Sequence, residues 1–430
     1  MTAEVAVYNK AAIALAADSA STISNGRTEK TYNNAEKLFS LTKHHPVGIM
    51  VYGSSELYEI PWELIIKSYR KNLKDACYDT LEEYIQDFMA FIPTFFNQLP
   101  LDDKRTYLNH LVIDYFCQIQ ERAEEDSDDE ENSLDLEEKT KAYIAMANTL
   151  YTYLIDSEVP FLIGMSEDDI PEAKSLLKPM VLELVDKLEL TDDVNSETIS
   201  EFLNALVDFC SLAFLKKNNI ETNRTGLVFA GYGDKEYLPQ IQTYEVLGFM
   251  DDQLRYSPLY EKFAGQGEIG IIPFAQQAEV QIFMQGISNP IKTMYDEFFK
   301  QFSENTLKEI ILMLNSIDSL TDDQRLKFLT TIAESMSSKI KVQGDMIKQY
   351  VQETHIDKIV DMIQHLPKNE LAYMAESLVN LTAFKRKVSN DNETVGGPID
   401  VAVISKGDGF VWVKRKHYFP SEINKHYSAL

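Results

Sequence analysis

The chain has 430 residues, of which 44% are hydrophobic and 25% are charged, as in globular proteins that bury a sizeable core. Its formal net charge of −27 would repel a nucleic-acid backbone, which excludes nucleic acid as a partner. Three scattered cysteines, no apolar run long enough to span a bilayer and no secretory pattern after Met1 predict a cytoplasmic protein without a membrane partner.

Strand patterns open the chain. Two short apolar runs joined at Asn9-Lys10 predict a hairpin, and a second pair of runs ends at Gly53. The predicted strands of this part span residues 3–8, 11–17, 38–41 and 47–52. Helical spacing of apolar residues begins after Pro61, which suits the first turn of a helix.

The rest of the chain alternates between helical and strand-like stretches. Helices are predicted at 82–96, 107–122, 139–154, 170–188 and 196–215, and then from 275 to about 383 with breaks at 288–290 and 366–367. Strands are predicted at 225–233, 239–249, 268–272, 399–405 and 409–414. The acidic run 124–131 repels itself and predicts a solvated loop. Strand groups at both ends and in the middle favour an α+β layered core.

These patterns divide the chain into a core interrupted by two helical insertions. The predicted core segments are 1–74, 218–286 and 367–430, and the predicted insertions are 75–217 and 287–366. Either insertion could serve as a lid, a docking surface or an oligomer contact.

The residue after Met1 offers a chemical possibility. Thr2 is small enough for removal of Met1, which would leave a threonine with a free α-amine. A hydroxyl is a poor nucleophile without a base, and an α-amine with a pKa near ~8 is a plausible base at neutral pH. One residue would then supply both groups, although threonine at this position is common and usually has no such role.

Two charged residues follow at suggestive places. Asp18 ends the second predicted strand, and a hairpin of this length returns its end to the neighbourhood of Thr2. Lys37 precedes the next strand; its ammonium would lower the pKa of the α-amine, hold the hydroxyl and pair with Asp18. An ordinary surface ion pair is the plainer alternative.

Gly53 closes a strand just before a helix. A glycine here allows a substrate to approach the backbone closely, and its N–H could stabilise an oxyanion. A turn that requires a positive φ is the alternative explanation.

Together these residues resemble the start of proteasome β subunits and of bacterial proteasome-like threonine peptidases. The matching pattern is Thr2, Ala16-Ala17-Asp18-Ser19, Ser21-Thr22, Lys37 and Gly53-Ser54-Ser55, with further similarity at Leu227 to Lys235 and at Gly396-Gly397 before the strand Ile399 to Ile404. The resemblance implies an N-terminal-nucleophile hydrolase with a four-layer αββα sandwich. It also implies no metal or organic cofactor.

The resemblance gives roles to individual residues. Thr2 would be the nucleophile, Asp18 and Lys37 its electrostatic partners, and the Gly53 N–H the oxyanion donor. The substrate-binding residues would be Ser21, Thr22 and Ser54, with a peptide or protein substrate bound as an added strand. Such peptidases form homo-oligomers and work with ATPase or adaptor partners, so the resemblance leaves a homo-oligomer and such a partner open for this chain.

The supporting residues depart from the family pattern. The stretch Pro273 to Ala278 lacks the serine that helps to position the α-amine in the family. Before Gly396-Gly397, Asp391 and Thr394 would replace the usual supporting pair with a shift of one residue, and Val395 stands where a serine is expected. An inactive relative therefore remains an alternative.

Other chemistry finds less support in the sequence. His44-His45 lies in a predicted turn without a third ligand, and His355 and His365 are not spaced for one helix face. A threonine-type peptidase is therefore the main hypothesis. The alternatives are a hydrolase of small amides and a non-catalytic scaffold or assembly protein.

Overall fold

A computed structural model describes residues 2–24, 29–97, 101–125, 135–156, 158–188, 194–218, 220, 224–317, 319–388, 395–417 and 419; side chains are described except at 22–24, 29 and 101–104. The chain divides into two compact units. The first comprises Met1–Leu38 and Gly265–Leu430, and the second comprises Phe39–Ala264.

The strands and helices alternate in groups along the chain. The strands are β1 (Ala3–Tyr8), β2 (Ile13–Ala17), β3 (Ser21–Ser24), β4 (Glu29–Tyr32), β5 (Leu38–Ser40), β6 (Val47–Gly53), β7 (Glu56–Leu57), β8 (Ile60–Pro61), β9 (Thr225–Gly231), β10 (Gln240–Met250), β11 (Gln253–Pro258), β12 (Gly270–Ala275), β13 (Asp400–Ser405) and β14 (Gly409–Lys414). The helices are α1 (Trp62–Leu73), α2 (Leu81–Phe96), α3 (Leu101–Glu125), α4 (Leu136–Asp156), α5 (Ile170–Lys187), α6 (Ser196–Leu215), α7 (Ala278–Gln285), α8 (Asn289–Asn315), α9 (Asp322–Val351), α10 (Asp357–Gln364) and α11 (Lys368–Val388). The predicted α+β class is confirmed.

The first unit is built on an antiparallel sheet in the order β12-β1-β2-β13-β14. Side chains alternate across a sheet, so one face of β1 and β2 presents small apolar residues such as Val5 and Ala16 to α11, where Ala375 and Val379 pack against them. Every residue of β1 and β2 is buried. Strands β1 and β2 thus lie at the centre of the core of the first unit.

The predicted hairpin turn at Asn9 forms for a clear reason. The Asn9 side-chain oxygen accepts hydrogen bonds from the N–H groups of Ala11 and Ala12, as an Asx turn does. Its amide group donates to the carbonyls of Ile363 and Leu366 at 2.9 and 3.0 Å. The turn fixes the register in which Glu4 pairs with Ala17 and brings the end of β2 beside the beginning of β1.

The second unit contains an antiparallel sheet in the order β11-β10-β9-β6-β5. Helices α1 and α2 cover one face through a cluster that includes Trp62, Phe88 and Phe229. Helices α3 to α6 form a further apolar cluster in the same unit. Helix α6 is the only described helix that is long and apolar enough to cross a membrane, and 67% of its apolar window is buried, as in a core helix.

Several elements differ from the sequence prediction. The strands β3, β4, β7, β8 and β11 were not predicted. The acidic run begins inside α3, which extends to Glu125, and its remaining residues 126–131 lie outside the described residues. A π-helical turn at Gln352–Ile356 separates α9 from α10 within the long predicted helical stretch.

Candidate active site

Thr2 lies directly before β1 and is held through its backbone on both sides. Its carbonyl accepts a hydrogen bond from the Gln276 N–H at 3.1 Å, and the following N–H, of Ala3, donates to Asp18 Oδ1 at 3.1 Å. Thr2 is buried, with 7% of its surface exposed in the chain that carries Met1. Residue 2 therefore occupies a fixed position at the edge of the core.

Asp18 follows β2 at the point where the hairpin returns to Thr2. Its N–H donates to the Ala3 carbonyl at 3.1 Å, which continues the β1–β2 pairing by one step. Its side chain is fully buried. Oδ1 accepts from Lys37 and Ala3, and Oδ2 accepts from the N–H groups of Gly396 at 3.0 Å and Ala20 at 3.3 Å. This number of donors compensates the carboxylate for the loss of water.

Lys37 connects the carboxylate to the threonine hydroxyl. Its Nζ lies 2.7 Å from Asp18 Oδ1 and donates to Thr2 Oγ1 at 3.0 Å. The lysine side chain is 9% exposed, so both contacts are made with little screening by water. The structure thus brings together Thr2, Asp18 and Lys37, as the sequence predicts, within the first unit. Their roles in catalysis stay a prediction.

The glycine junction before β13 takes part in the same arrangement. Besides the bond from its N–H to Asp18, Gly396 accepts from the Ser19 N–H at 3.1 Å, and Ser19 Oγ donates to the Pro398 carbonyl. Sequence reasoning marked Gly396-Gly397 as a junction but missed this contact. The missed partner is a backbone N–H, which every residue type except proline has, so only the position of the glycine pair could have indicated it.

Gln276 is the other residue that sequence reasoning missed. It lies in the stretch that lacks the expected serine, yet its backbone N–H holds the Thr2 carbonyl. Its side-chain oxygen accepts a hydrogen bond from Arg386 at 2.5 Å. This stretch therefore positions residue 2 through the backbone.

The predicted substrate-binding residues belong to both units. Ser21 and Thr22 belong to β3, where they pair with Tyr32 and Thr31 of β4. Ser54 lies in the second unit, where its hydroxyl donates to the Glu56 carbonyl at 2.9 Å. The two supporting residues, Asp391 and Thr394, lie outside the described residues. Their neighbour Val395 is buried in the apolar cluster of the first unit.

Gly53 ends β6 in the second unit with a φ of 83°, which favours glycine. A Cβ at this position would lie 2.3 Å from the Arg224 carbonyl oxygen, so the turn explanation holds here. The Ser54 N–H bonds to that carbonyl, and ladder bonds alternate along an antiparallel pair, so the Gly53 N–H is directed away from β9. The neighbour on that side, β5, is three residues long and pairs near the beginning of β6.

An open cavity of about 510 Å³ adjoins Gly53 within the second unit. Charged side chains of both signs line it. Arg224 pairs with Glu245 at 3.2 Å, and Lys262 Nζ lies 5.0 Å from the centre of the Tyr52 ring. The Tyr52 ring also occupies the space that a side chain at position 226 would need. This cavity therefore places charged side chains next to the Gly53 backbone.

Other groups in the described part of the chain carry less chemistry. No cluster of three or more His, Cys, Asp or Glu there is arranged to hold a metal ion. Burial raises the pKa of the Cys210 thiol well above its usual value, which makes it a poor nucleophile. Burial, together with the charge of Glu268, raises the pKa of Tyr8 to about 12, so this phenol stays protonated near neutral pH.

No protein-family model matches the chain, and no curated protein matches it.

Proposed function

We propose that this protein is a threonine-type hydrolase of amide bonds, most similar in its chemistry to proteasome-like peptidases. One observation carries the proposal: a buried lysine ammonium lies 3.0 Å from the hydroxyl of residue 2 and 2.7 Å from a buried carboxylate. Enclosing an ammonium costs several kcal/mol in desolvation, so its placement against the Thr2 hydroxyl favours a functional role.

The proposed reaction requires removal of Met1. Thr2 then carries a free α-amine within the same residue as its hydroxyl. The amine, acting through a water molecule, takes the hydroxyl proton while Oγ1 attacks the scissile carbonyl carbon. The proton then passes to the leaving amine, and water hydrolyses the resulting ester to regenerate Thr2.

Lys37 and Asp18 support this chemistry electrostatically. The ammonium stabilises negative charge on Thr2 Oγ1 as its proton leaves, and it disfavours protonation of the neighbouring α-amine, which keeps the amine available as a base. Asp18 fixes the ammonium at 2.7 Å and the backbone of residue 3 at 3.1 Å. The Gly53 N–H, directed away from β9, is the proposed oxyanion donor.

The proposed fold is the four-layer αββα sandwich of N-terminal-nucleophile hydrolases. Two antiparallel five-stranded sheets among the described residues, each with helices against one face, support it. Burial of the other face of the central strands, for example at Ala6 and Leu15, is what such a sandwich requires. The helical blocks 75–217 and 287–366 are the proposed insertions.

The proposed substrate is a peptide, bound in extended form along β3 through its backbone. Ser21 and Thr22 lie on this strand, which pairs with β4 along one edge. Removal of Met1 has to open access to Thr2, because residue 2 is only 7% exposed while Met1 is attached.

A non-catalytic scaffold is the second candidate, and Val395 favours it. This residue stands where the family has a supporting serine, and it is buried among apolar side chains. A valine there cannot hydrogen-bond the α-amine, which would slow or abolish turnover.

A panel of fluorogenic peptides separates the two candidates. We expect the wild-type protein to hydrolyse at least one peptide, and Thr2→Ala to reduce that rate by roughly 10³-fold or more. Thr2→Ser, which keeps a hydroxyl and an amine, should retain part of the activity. Equal rates for wild type and Thr2→Ala would contradict catalysis by Thr2, and folded wild-type protein that retains Met1 would favour the scaffold.

A further inference from the structure

The helical hairpin formed by α8 and α9 leaves many apolar side chains exposed. Every residue of these two helices is described, and none of them is buried. Isolated helices in water gain little from backbone propensity and depend on burying an apolar face. The hairpin therefore needs apolar contacts beyond those it makes within one chain.

One apolar stripe on each helix is already used inside the hairpin. These half-buried residues, the inner stripe, include Phe299, Leu307, Ile310 and Leu314 of α8 and Leu329, Ile332, Met336 and Ile340 of α9. At the turn, Arg325 donates to the carbonyls of Leu314 at 3.1 Å and Ile317 at 2.8 Å. The inner stripe and the hydrogen bonds of Arg325 account for the pairing of the two helices.

A second apolar stripe lies at the base of the hairpin, away from the turn. This base patch consists of Ile291, Met294, Tyr295, Phe298 and Phe302 of α8 with Val342, Met346, Ile347 and Tyr350 of α9. Each of these side chains is between 46% and 64% exposed. The rings of Phe298 and Phe302 stack on each other at the surface.

On each helix, the base patch and the inner stripe lie on different faces around the helix axis. Successive residues advance by about 100° around an α-helix, so on both helices the base patch is rotated from the inner stripe by roughly a quarter turn in the same sense. Because α8 and α9 run antiparallel, that common sense of rotation places both halves of the base patch on one side of the hairpin. Helices of a four-helix bundle need two such stripes, since each has two neighbours.

The size and charge of this surface suit a second copy of the chain. Nine side chains that each expose about half of their area amount to on the order of 900 Å², and a standard interface buries about 800 Å² per partner. The two helices carry eight basic and eight acidic residues, which cancel, whereas the whole chain carries −27. A neutral surface is where two copies of so acidic a protein can meet with the least repulsion.

We propose that the base patches of two copies pack against each other, so that two hairpins form an antiparallel four-helix bundle and the protein is a dimer. The contact is isologous: the same patch serves both partners about a twofold axis. The proposal does not depend on the hydrolase activity.

Sedimentation velocity of the full chain over a wide range of concentrations tests the proposal. We expect the wild type to sediment as a species of twice 49.2 kDa. The double variant Phe298→Glu/Met346→Glu would bury two carboxylates in the apolar contact, so its dissociation constant should rise roughly a hundredfold or more. Both positions are exposed in one chain, so unchanged helical circular dichroism should show that the variant folds.

A matched control carries the same two charges on the opposite side of the hairpin. Thr293 and Ser337 are exposed there, and Thr293→Glu/Ser337→Glu should dimerise as the wild type does. The proposal is overturned if the wild type is monomeric throughout, or if the base-patch variant dimerises as tightly as the control. A monomeric wild type that instead binds phosphatidylcholine vesicles would assign the patch to a membrane surface and would also overturn it.

Discussion

At the scale of single residues, Asp18 organises the start of the chain. Its two oxygens accept four hydrogen bonds from donors on four segments: the beginning of β1, the turn after β2, Lys37 and the glycine junction before β13. Because the carboxylate is fully buried, each donor compensates part of its desolvation. The position of Lys37 relative to Thr2 therefore depends on this carboxylate.

Removing the lysine charge should destabilise the protein strongly. In Lys37→Met the buried carboxylate of Asp18 loses its ammonium partner, which should cost about 3–5 kcal/mol of unfolding free energy. Urea denaturation followed by circular dichroism measures the loss. The control is Lys67→Met, because Lys67 pairs with Glu63 at an exposed surface and should change stability by less than about 1 kcal/mol. Equal midpoints for the two variants would contradict the structural role of the buried pair.

Gly53 should be sensitive to the smallest side chain. Gly53→Ala places a Cβ 2.3 Å from the Arg224 carbonyl at a φ of 83°, so we expect a loss of more than about 1 kcal/mol. Gly407→Ala serves as the control, since nothing lies within 4 Å of its added Cβ. Thermal unfolding of both variants measures the difference, and a Gly53→Ala protein as stable as the control would show that the backbone there can relax.

At the scale of elements, the beginning of α2 shows how short-range signals fix a helix. Thr80 accepts a hydrogen bond from the Glu83 N–H, and Glu83 in turn accepts from the Thr80 N–H, which is a capping box. The Leu81 N–H donates to Glu236 at 3.0 Å. The N–H groups of Thr80, Leu81 and Glu83 at the beginning of α2 therefore all have side-chain acceptors.

Loss of the Thr80 cap should cost about 1 kcal/mol, because the Glu83 N–H then lacks its side-chain acceptor. Urea denaturation of Thr80→Ala measures this. Thr94→Ala, on the exposed surface of the same helix, removes a hydroxyl without affecting the cap and should change stability by a few tenths of a kcal/mol. A Thr80→Ala protein that matches Thr94→Ala would show that the cap contributes nothing measurable.

Most elements could be predicted from local patterns, and the exceptions have physical causes. Strand β12 continues through Pro273, where the prediction stopped, because β12 lies at the edge of its sheet and needs no N–H bond on its outer side. Strand β11 was missed because Arg255 interrupts its apolar pattern. That arginine is fully buried, donates to the Phe214 carbonyl and stacks on the Phe214 ring, partners that only the fold brings near.

The candidate site likewise has contacts that local patterns predict and contacts that only the fold creates. The position of Asp18 beside the beginning of β1 could be predicted because a hairpin relates the two locally, and Lys37 followed from its charge and position. The bond from the Gly396 N–H to Asp18 joins residues 378 positions apart. Because the donor is a backbone group, no side chain in the sequence indicates this bond. The quarter-turn relation of the two apolar stripes on α8 is present in the sequence, but only burial shows which stripe is already occupied.

At the scale of the whole molecule, the net charge of −27 should affect association more than folding. Two copies repel each other at long range, while the proposed contact is apolar and lies on two helices whose charges cancel. Added salt screens the repulsion and leaves the apolar contact intact, so the dimer should become tighter as the salt concentration rises. Sedimentation at low and high sodium chloride tests this, and weaker dimers at high salt would indicate a contact made by ion pairs.

The proposed reactive residue is Thr2, once removal of Met1 has made it the first residue, with its hydroxyl held by Lys37. The most direct measurement treats the purified protein with an electrophile that bonds to both the hydroxyl and the amine of a terminal threonine, and then maps the adduct by mass spectrometry. We expect a chain without Met1 that carries a single adduct on Thr2, and no adduct in Lys37→Met protein shown to be folded. A chain that retains Met1, or an adduct elsewhere with Thr2 unmodified, would contradict this proposal.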